Sequence, residues 1–174
     1  MEEGMKLALI GGTCTGKTSA MKKIAEMRNC ATRSCGGEVL AAAKRLGIHP
    51  DEVGKETHCL IDQETREFVE NVEALVVDGR FLDLVLAEQT GKIFLVNLVA
   101  DEKTRSMRAA NRLRESSEST EDFVATSDAR DDRFRSLMYA GENFLKPDIA
   151  IDTSSLAVEE VAKKILFEYD RAKK

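Results

Sequence analysis

A three-layer α/β fold, with a parallel sheet of about five strands flanked by helices and topped by a helical lid, is what this 174-residue sequence predicts. Three observations lead there. Apolar runs of strand length alternate with stretches of helical period along the whole chain. The runs are unbroken, as in Ala74 to Val77, which suits strands buried on both faces of a parallel sheet. The first run passes directly into a glycine-rich loop that opens a helix, and in such sheets ligands bind at the carboxyl ends of the strands.

The elements follow in order. "KLALIG" at 6–11 reads as a buried strand, and Lys17 to about Met27 as a helix whose apolar side holds Ala20, Met21, Ile24, Ala25 and Met27. "CATRS" at 30–34 is a short second strand. "GGEVLAAAKRLG" repeats Val39, Leu40, Ala43 and Leu46 at helical spacing and stops at Gly47. After the break at His49-Pro50, a helix is expected over Ile61 to Glu70, then the strand in "EALVVDGR". "KIFLVNLVA" at 92–100 is the next strand and Glu102 to Arg114 the next helix. The polar "ESSESTED" reads as a loop within the same domain, because helix-like sequence resumes after it. "DIAIDTS" at 148–154 is a last strand, and the closing helix sets Val158, Val161, Ala162, Ile165, Leu166 and Tyr169 on one face.

Composition narrows the function classes. At this length one domain is expected, and no stretch approaches the ~20 apolar residues of a membrane span. The acidic "MEEGMK" start resembles no secretory signal, so a cytoplasmic location is expected. A net charge of −5 argues against a duplex-nucleic-acid partner, which calls for a basic face. Cys14, Cys30, Cys35 and Cys59 have neither CxxC spacing nor a histidine partner at metal-site spacing, which argues against zinc.

"GGTCTGKT" at 11–18 satisfies GxxxxGK[ST], and its setting between an apolar strand and an amphipathic helix aims backbone N–H groups and a helix dipole at one anion. Gly11, Gly12, Thr13, Cys14, Thr15, Gly16, Lys17, Thr18 and Ser19 are therefore the expected ATP-binding residues. Gly11 and Gly16 permit backbone shapes that a Cβ would obstruct, Lys17 reaches the outer phosphates, and the Thr18 hydroxyl can ligate Mg²⁺. Asp78, at the end of a buried strand, is either a second Mg²⁺-side acid or a helix N-cap. Seven of the 13 arginines lie between residues 101 and 135, a bias that suits phosphate binding, although interspersed Asp and Glu would also make a solvated helix. Arg105, Arg108 and Arg112 share one helical face, and Arg130 and Arg133 form a second pair across the serine-rich loop. Two arginine-bearing helices joined by a polar tip make a hinged lid that could exclude water from the phosphate.

With these residues in view, the chain resembles the P-loop nucleoside monophosphate kinases, and within them the short archaeal-type cytidylate kinases. The resemblance rests on "GGTCTGKT", "GGEVLAAAKRLG" with "HPDEV", "VVDGRFLD", "KIFLVNLVADEKTRSMRAANR", "ARDDRFR" and "IAIDTSSLAVEEVAKKIL", in that order. It implies that Arg80 contacts the acceptor's phosphate, that Asp78 lies near the metal or the acceptor, and that Arg112, Arg130 and Arg133 belong to the lid. It also implies that the segment from Asp152 to Ser155 lies beside the donor base. One departure stands out: family members commonly carry an arginine one helical turn after the "GGE"-like element, and Ala41 stands there here. Lys44, Arg45 or Arg33 could substitute.

The expected molecule is thus one P-loop kinase domain over 1–174, with an acceptor region at about 33–72 and a lid at about 105–135. It would transfer the γ-phosphate of ATP, with Mg²⁺, to a nucleoside monophosphate, CMP or dCMP first, as a monomer or weak dimer, using Lys17, Arg80, Arg112, Arg130 and Arg133 for catalysis. A kinase acting on a hydroxyl acceptor and a non-catalytic ATP-binding regulator are the alternatives.

Overall fold

The computed structural model describes residues 4–113 and 123–174, and the expected lid tip at 115–122 lies outside them. Five strands form one parallel sheet: β1 (Lys6–Ile10), β2 (Ala31–Ser34), β3 (Leu75–Asp78), β4 (Phe94–Val99) and β5 (Ile149–Asp152), in the order β2-β3-β1-β4-β5. The two strands that read as most continuously apolar, β1 and β3, lie side by side in the interior, with Lys6 opposite Leu75 and Leu9 opposite Asp78. Parallel neighbours cannot be joined by hairpins, so a helical crossover separates each pair of consecutive strands. Among the described residues six helices do this, α1 (Lys17–Arg28), α2 (Cys35–Leu46), α3 (Lys55–Asn71), α4 (Leu82–Val85), α5 (Glu102–Leu113) and α6 (Phe123–Met138), and α7 (Val158–Ala172) follows β5.

Each face of the sheet has its own core. On one, Leu7, Leu9 and Leu98 meet Ile24 of α1 and Ile165 of α7; on the other, Ala8, Leu75 and Val77 meet Val69 of α3 and Leu82 of α4. Ile165 is fully buried, so Ile165→Ala is expected to lower unfolding free energy by about 2–5 kcal/mol in urea titrations, without altering ligand affinity.

Two features depart from the sequence reading. Helix α3 starts at Lys55, six residues before the expected Ile61, because its N-cap is Gly54, which makes no side-chain capping bond and so leaves no start signal. The added turn puts His58 on the helix. Between β3 and β4, where no element was expected, the chain makes the four-residue α4 and a 3₁₀ turn at Ala87–Gln89, too short to show a period. Among the described residues no helix is long and apolar enough to cross a membrane.

Candidate active site

All five strands end on one side, and the loop after β1 lies at the middle of that edge. Gly11 has φ +144°, and a Cβ there would run into the carbonyl oxygen of Leu98 on β4. Gly16, with φ +92°, is the left-handed N-cap from which α1 starts. Both are conformations that side-chain-bearing residues rarely adopt, so these two glycines permit the loop's path.

Helices α5 and α6 and the β5–α7 junction hold the loop through contacts to its carbonyls and to Thr13. The Thr13 carbonyl accepts from Arg105 Nε at 2.8 Å, the Cys14 carbonyl from Arg108 Nη1 at 3.3 Å, and the Thr15 carbonyl from the Thr153 hydroxyl at 2.9 Å. The hydroxyl of Ser127, on α6, donates to the Thr13 hydroxyl at 2.9 Å in a buried contact. Arg105 also makes a two-pronged pair with Asp128, at 2.9 and 2.6 Å. Neither Arg105 nor Arg108 was among the expected site residues, although both lie on the arginine face seen in the sequence. They brace the loop.

Lys17 folds back over the loop and donates to the carbonyls of Gly11 at 2.7 Å and Gly12 at 2.6 Å. Burial pushes its pKa down to about 8, with the charge of Arg80 adding to the effect and Asp78 and Asp131 opposing it. The Thr18 hydroxyl donates to Asp78 Oδ2, from the end of β3, which puts Asp78 across from the loop. Asp78 is 2% exposed, and its other oxygen, Oδ1, is buried without a hydrogen-bond partner. A buried carboxylate oxygen left unpaired beside a threonine hydroxyl suits a small divalent cation that takes oxygen ligands and completes its octahedron from phosphate and water. Thr18 and Asp78 are thus the residues that would hold Mg²⁺, where the ion would neutralise charge on a transferring phosphoryl group.

A cavity of about 760 Å³ extends from the loop to the amino-terminal halves of α2 and α3. Thr13 to Ser19 line it, with Gly11 and Gly12 at the loop's base. Of the expected arginines, Arg80 lines it and is paired with Asp131; Arg130 lines it and is paired with Asp51. Arg112 borders it from α5, whereas Arg133 is on the exposed side of α6, outside the lining. Arg33 is bound by Glu38 at 2.5 Å, Glu64 at 2.7 Å and the Thr65 hydroxyl at 3.0 Å. Ala41, Lys44 and Arg45 are exposed and do not border the cavity. From the segment after β5, Thr153 reaches the loop, while Asp152 accepts from Ser154 at the surface.

One part of the cavity lining is aromatic. Phe81, next to Arg80, stacks on Phe134 of α6 with ring centres 5.2 Å apart and an angle of 21°. His58 meets Phe134 edge-on at 4.7 Å, and Tyr139 lies 5.9 Å from Phe81. The Tyr139 hydroxyl donates to Asp62 Oδ2 at 2.6 Å. Burial raises the Asp62 carboxyl above its ordinary range while the Tyr139 bond pulls it down, and burial lowers the His58 imidazole. Sequence reading passed over this group, though an aromatic beside Arg80 and another between Arg133 and Arg135 were visible signs of it.

This sheet order, with a phosphate-type loop after its central strand and an acid ending the neighbouring one, is the P-loop kinase fold. A shikimate kinase from Aquifex aeolicus matches with a TM-score of 0.64 at 18% identity, covering 97% of this chain and 98% of that one. A gluconokinase from Sinorhizobium meliloti matches with a TM-score of 0.67 at 15% identity, covering 99% and 95%. Within that fold, the model of the cytidylate kinase family matches residues 54–171, and the chain belongs to that family. A curated cytidylate kinase from Thermoplasma volcanium is 25% identical over 114 residues, 62% of this chain; the match spans 60% of the relative's length.

Proposed function

We propose that the protein is an ATP-dependent, Mg²⁺-requiring phosphotransferase whose acceptor is a nucleoside monophosphate, CMP or dCMP first. The observation that carries this is the convergence on one cavity of Lys17, the Thr18–Asp78 pair, and two guanidinium groups from distant segments, Arg80 and Arg130. Phosphoryl transfer asks for little covalent chemistry from a protein; alignment and neutralisation of the moving charge supply most of the acceleration. In this reading the loop amides and Lys17 hold the triphosphate of ATP, and Arg80 and Arg130 leave Asp131 and Asp51 for the phosphates. Arg112 closes the donor side, and Arg133 joins by a turn of α6. An acceptor that is already a phosphate oxygen needs no general base. The family match and the aromatic part of the cavity support a nucleotide acceptor. The whole chain would act as one catalytic unit, with residues 33–72 on the acceptor side and 105–135 as the lid.

A second reading, transfer to a hydroxyl group, draws on the acceptor side's lack of the family arginine: Ala41 is exposed and Arg33 is held by two glutamates. ADP production with ATP and Mg²⁺, measured across monophosphates, nucleosides and simple alcohols, separates the two. CMP-dependent ADP formation is expected. Formation dependent only on an alcohol overturns the nucleotide reading, and ATP binding without acceptor-dependent turnover assigns the chain a regulatory role instead.

A further inference from the structure

The aromatic part of the cavity holds one carboxylate whose circumstances differ from the others. Asp78 is joined to Thr18, Asp51 to Arg130 and Asp131 to Arg80, so these three face the phosphate side. Asp62 borders the cavity as well, and its hydrogen-bond partner among the described residues is an uncharged one, the Tyr139 hydroxyl at 2.6 Å on Oδ2. Arg66, one turn further along α3, donates to the Val85 carbonyl at 3.5 Å. Asp62 is fixed by a donor that leaves its charge without a direct ion pair, and its second oxygen, Oδ1, has no hydrogen-bond partner among the described residues. Around it Phe81, Phe134, Tyr139 and His58 provide flat apolar faces, with Phe81 and Phe134 stacked at 5.2 Å.

A stacked aromatic wall ending in a carboxylate has a definite selectivity. The ring faces accept any flat heterocycle, so they do not discriminate among bases. The carboxylate does, because it is acceptor-only. A cytosine edge presents an exocyclic amino donor, whereas uracil and thymine place a keto oxygen at the same position. An amino group completes the carboxylate's hydrogen bonding; a keto oxygen would set two acceptors against each other in a partly desolvated pocket.

We propose that Asp62 is the specificity residue that reads the exocyclic amino group of the acceptor's base, and that Tyr139 is a positioning residue that turns its carboxylate toward that group. This rests on the nucleoside monophosphate reading above and adds to it the atom that selects the base.

The test is equilibrium binding of CMP and of UMP to the full chain by calorimetry, for the wild type, Asp62→Asn and Tyr139→Phe. The wild type is expected to bind CMP about 10- to 100-fold more tightly than UMP, as for a hydrogen bond to a charged group. Asp62→Asn should bring the ratio near one, since an amide can turn to offer either a donor or an acceptor. Tyr139→Phe should narrow the ratio partway, an effect that general loosening of the fold would not produce. ATP affinity, read in the same samples, should be unchanged in both variants and shows that they are folded. A wild type without CMP preference overturns the proposal, as does a preference that survives Asp62→Asn. If Asp62→Asn does not fold, the wild-type ratio and the Tyr139→Phe ratio decide, an unchanged ratio in Tyr139→Phe overturning the proposal. CMP-dependent ADP formation with a ratio insensitive to Asp62 sinks this inference alone; absence of any monophosphate-dependent turnover sinks the function on which it rests.

Discussion

Lys17→Ala is expected to lower turnover by about 100- to 1,000-fold while leaving the fold in place, the range seen when one preorganised donor to a developing charge is removed. Among the described residues the ammonium group's hydrogen-bond partners are the carbonyls of Gly11 and Gly12. Burial and the Arg80 charge hold its pKa near 8, below the ordinary 10.5. A lysine whose folded pKa is depressed gives up native stability at pH 7, because the folded state is then the one that holds its proton less willingly. Truncation therefore removes a disfavoured charge together with two neutral-acceptor bonds, and the two effects oppose. Net stability should change by no more than about 1 kcal/mol. Under the proposed function a triphosphate would bring a counter-charge to Lys17, so loss of activity without loss of stability is the expected pattern. The check is steady-state turnover beside a thermal unfolding curve. Near-normal activity would overturn the assignment of the loop, and a collapsed melting transition would make Lys17 structural.

The same separation explains how much could be read from the chain. The loop was legible because its geometry is local: Gly11 and Gly16 sit where positive φ is required, and Lys17 and Thr18 follow in the first turn of α1. The strands were legible because β1, β3 and β4 are largely buried on both faces, and the end of α2 because Gly47 takes the left-handed conformation at its C-cap. What escaped depends on pairings between distant segments. Arg108 was visible as part of an arginine face, yet its contact with the Cys14 carbonyl joins residues 94 apart. The Asp62–Tyr139 bond spans 77 residues, and Arg33 is tied to Glu64 across 31. No local pattern encodes which of several arginines a carboxylate will meet. Hence the arginine-bearing helices α5 and α6 could be foreseen, but not that Arg80 and Arg130 would be found on Asp131 and Asp51. Nor could the sequence show that Arg33 would be unavailable as a replacement at the Ala41 position.

Arg80→Ala should produce a different kinetic pattern. Its guanidinium follows directly after β3 and Gly79, borders the cavity and is held by Asp131, whose carboxyl burial raises and Arg80 itself pulls back down. Asp131 accepts from one nitrogen of Arg80, Nη1, so under the proposed role a phosphate would take that place and could use both prongs of the guanidinium fork. Loss of the fork should reduce kcat/KM for the acceptor on the order of 100-fold, with the KM for ATP moving less than about threefold, because the proposed donor site is built from other residues, the loop and Lys17. Arg80→Lys should recover only part of the loss, since a lysine places a single charge where two parallel hydrogen bonds are needed. Equal loss for both substrates would instead mean that Arg80 acts by holding α6 in place through Asp131. Asp131→Asn distinguishes that case: it breaks the pair from the other side, so a docking role predicts the same defect as Arg80→Ala, whereas a phosphate-binding role predicts an acceptor KM that stays constant or falls.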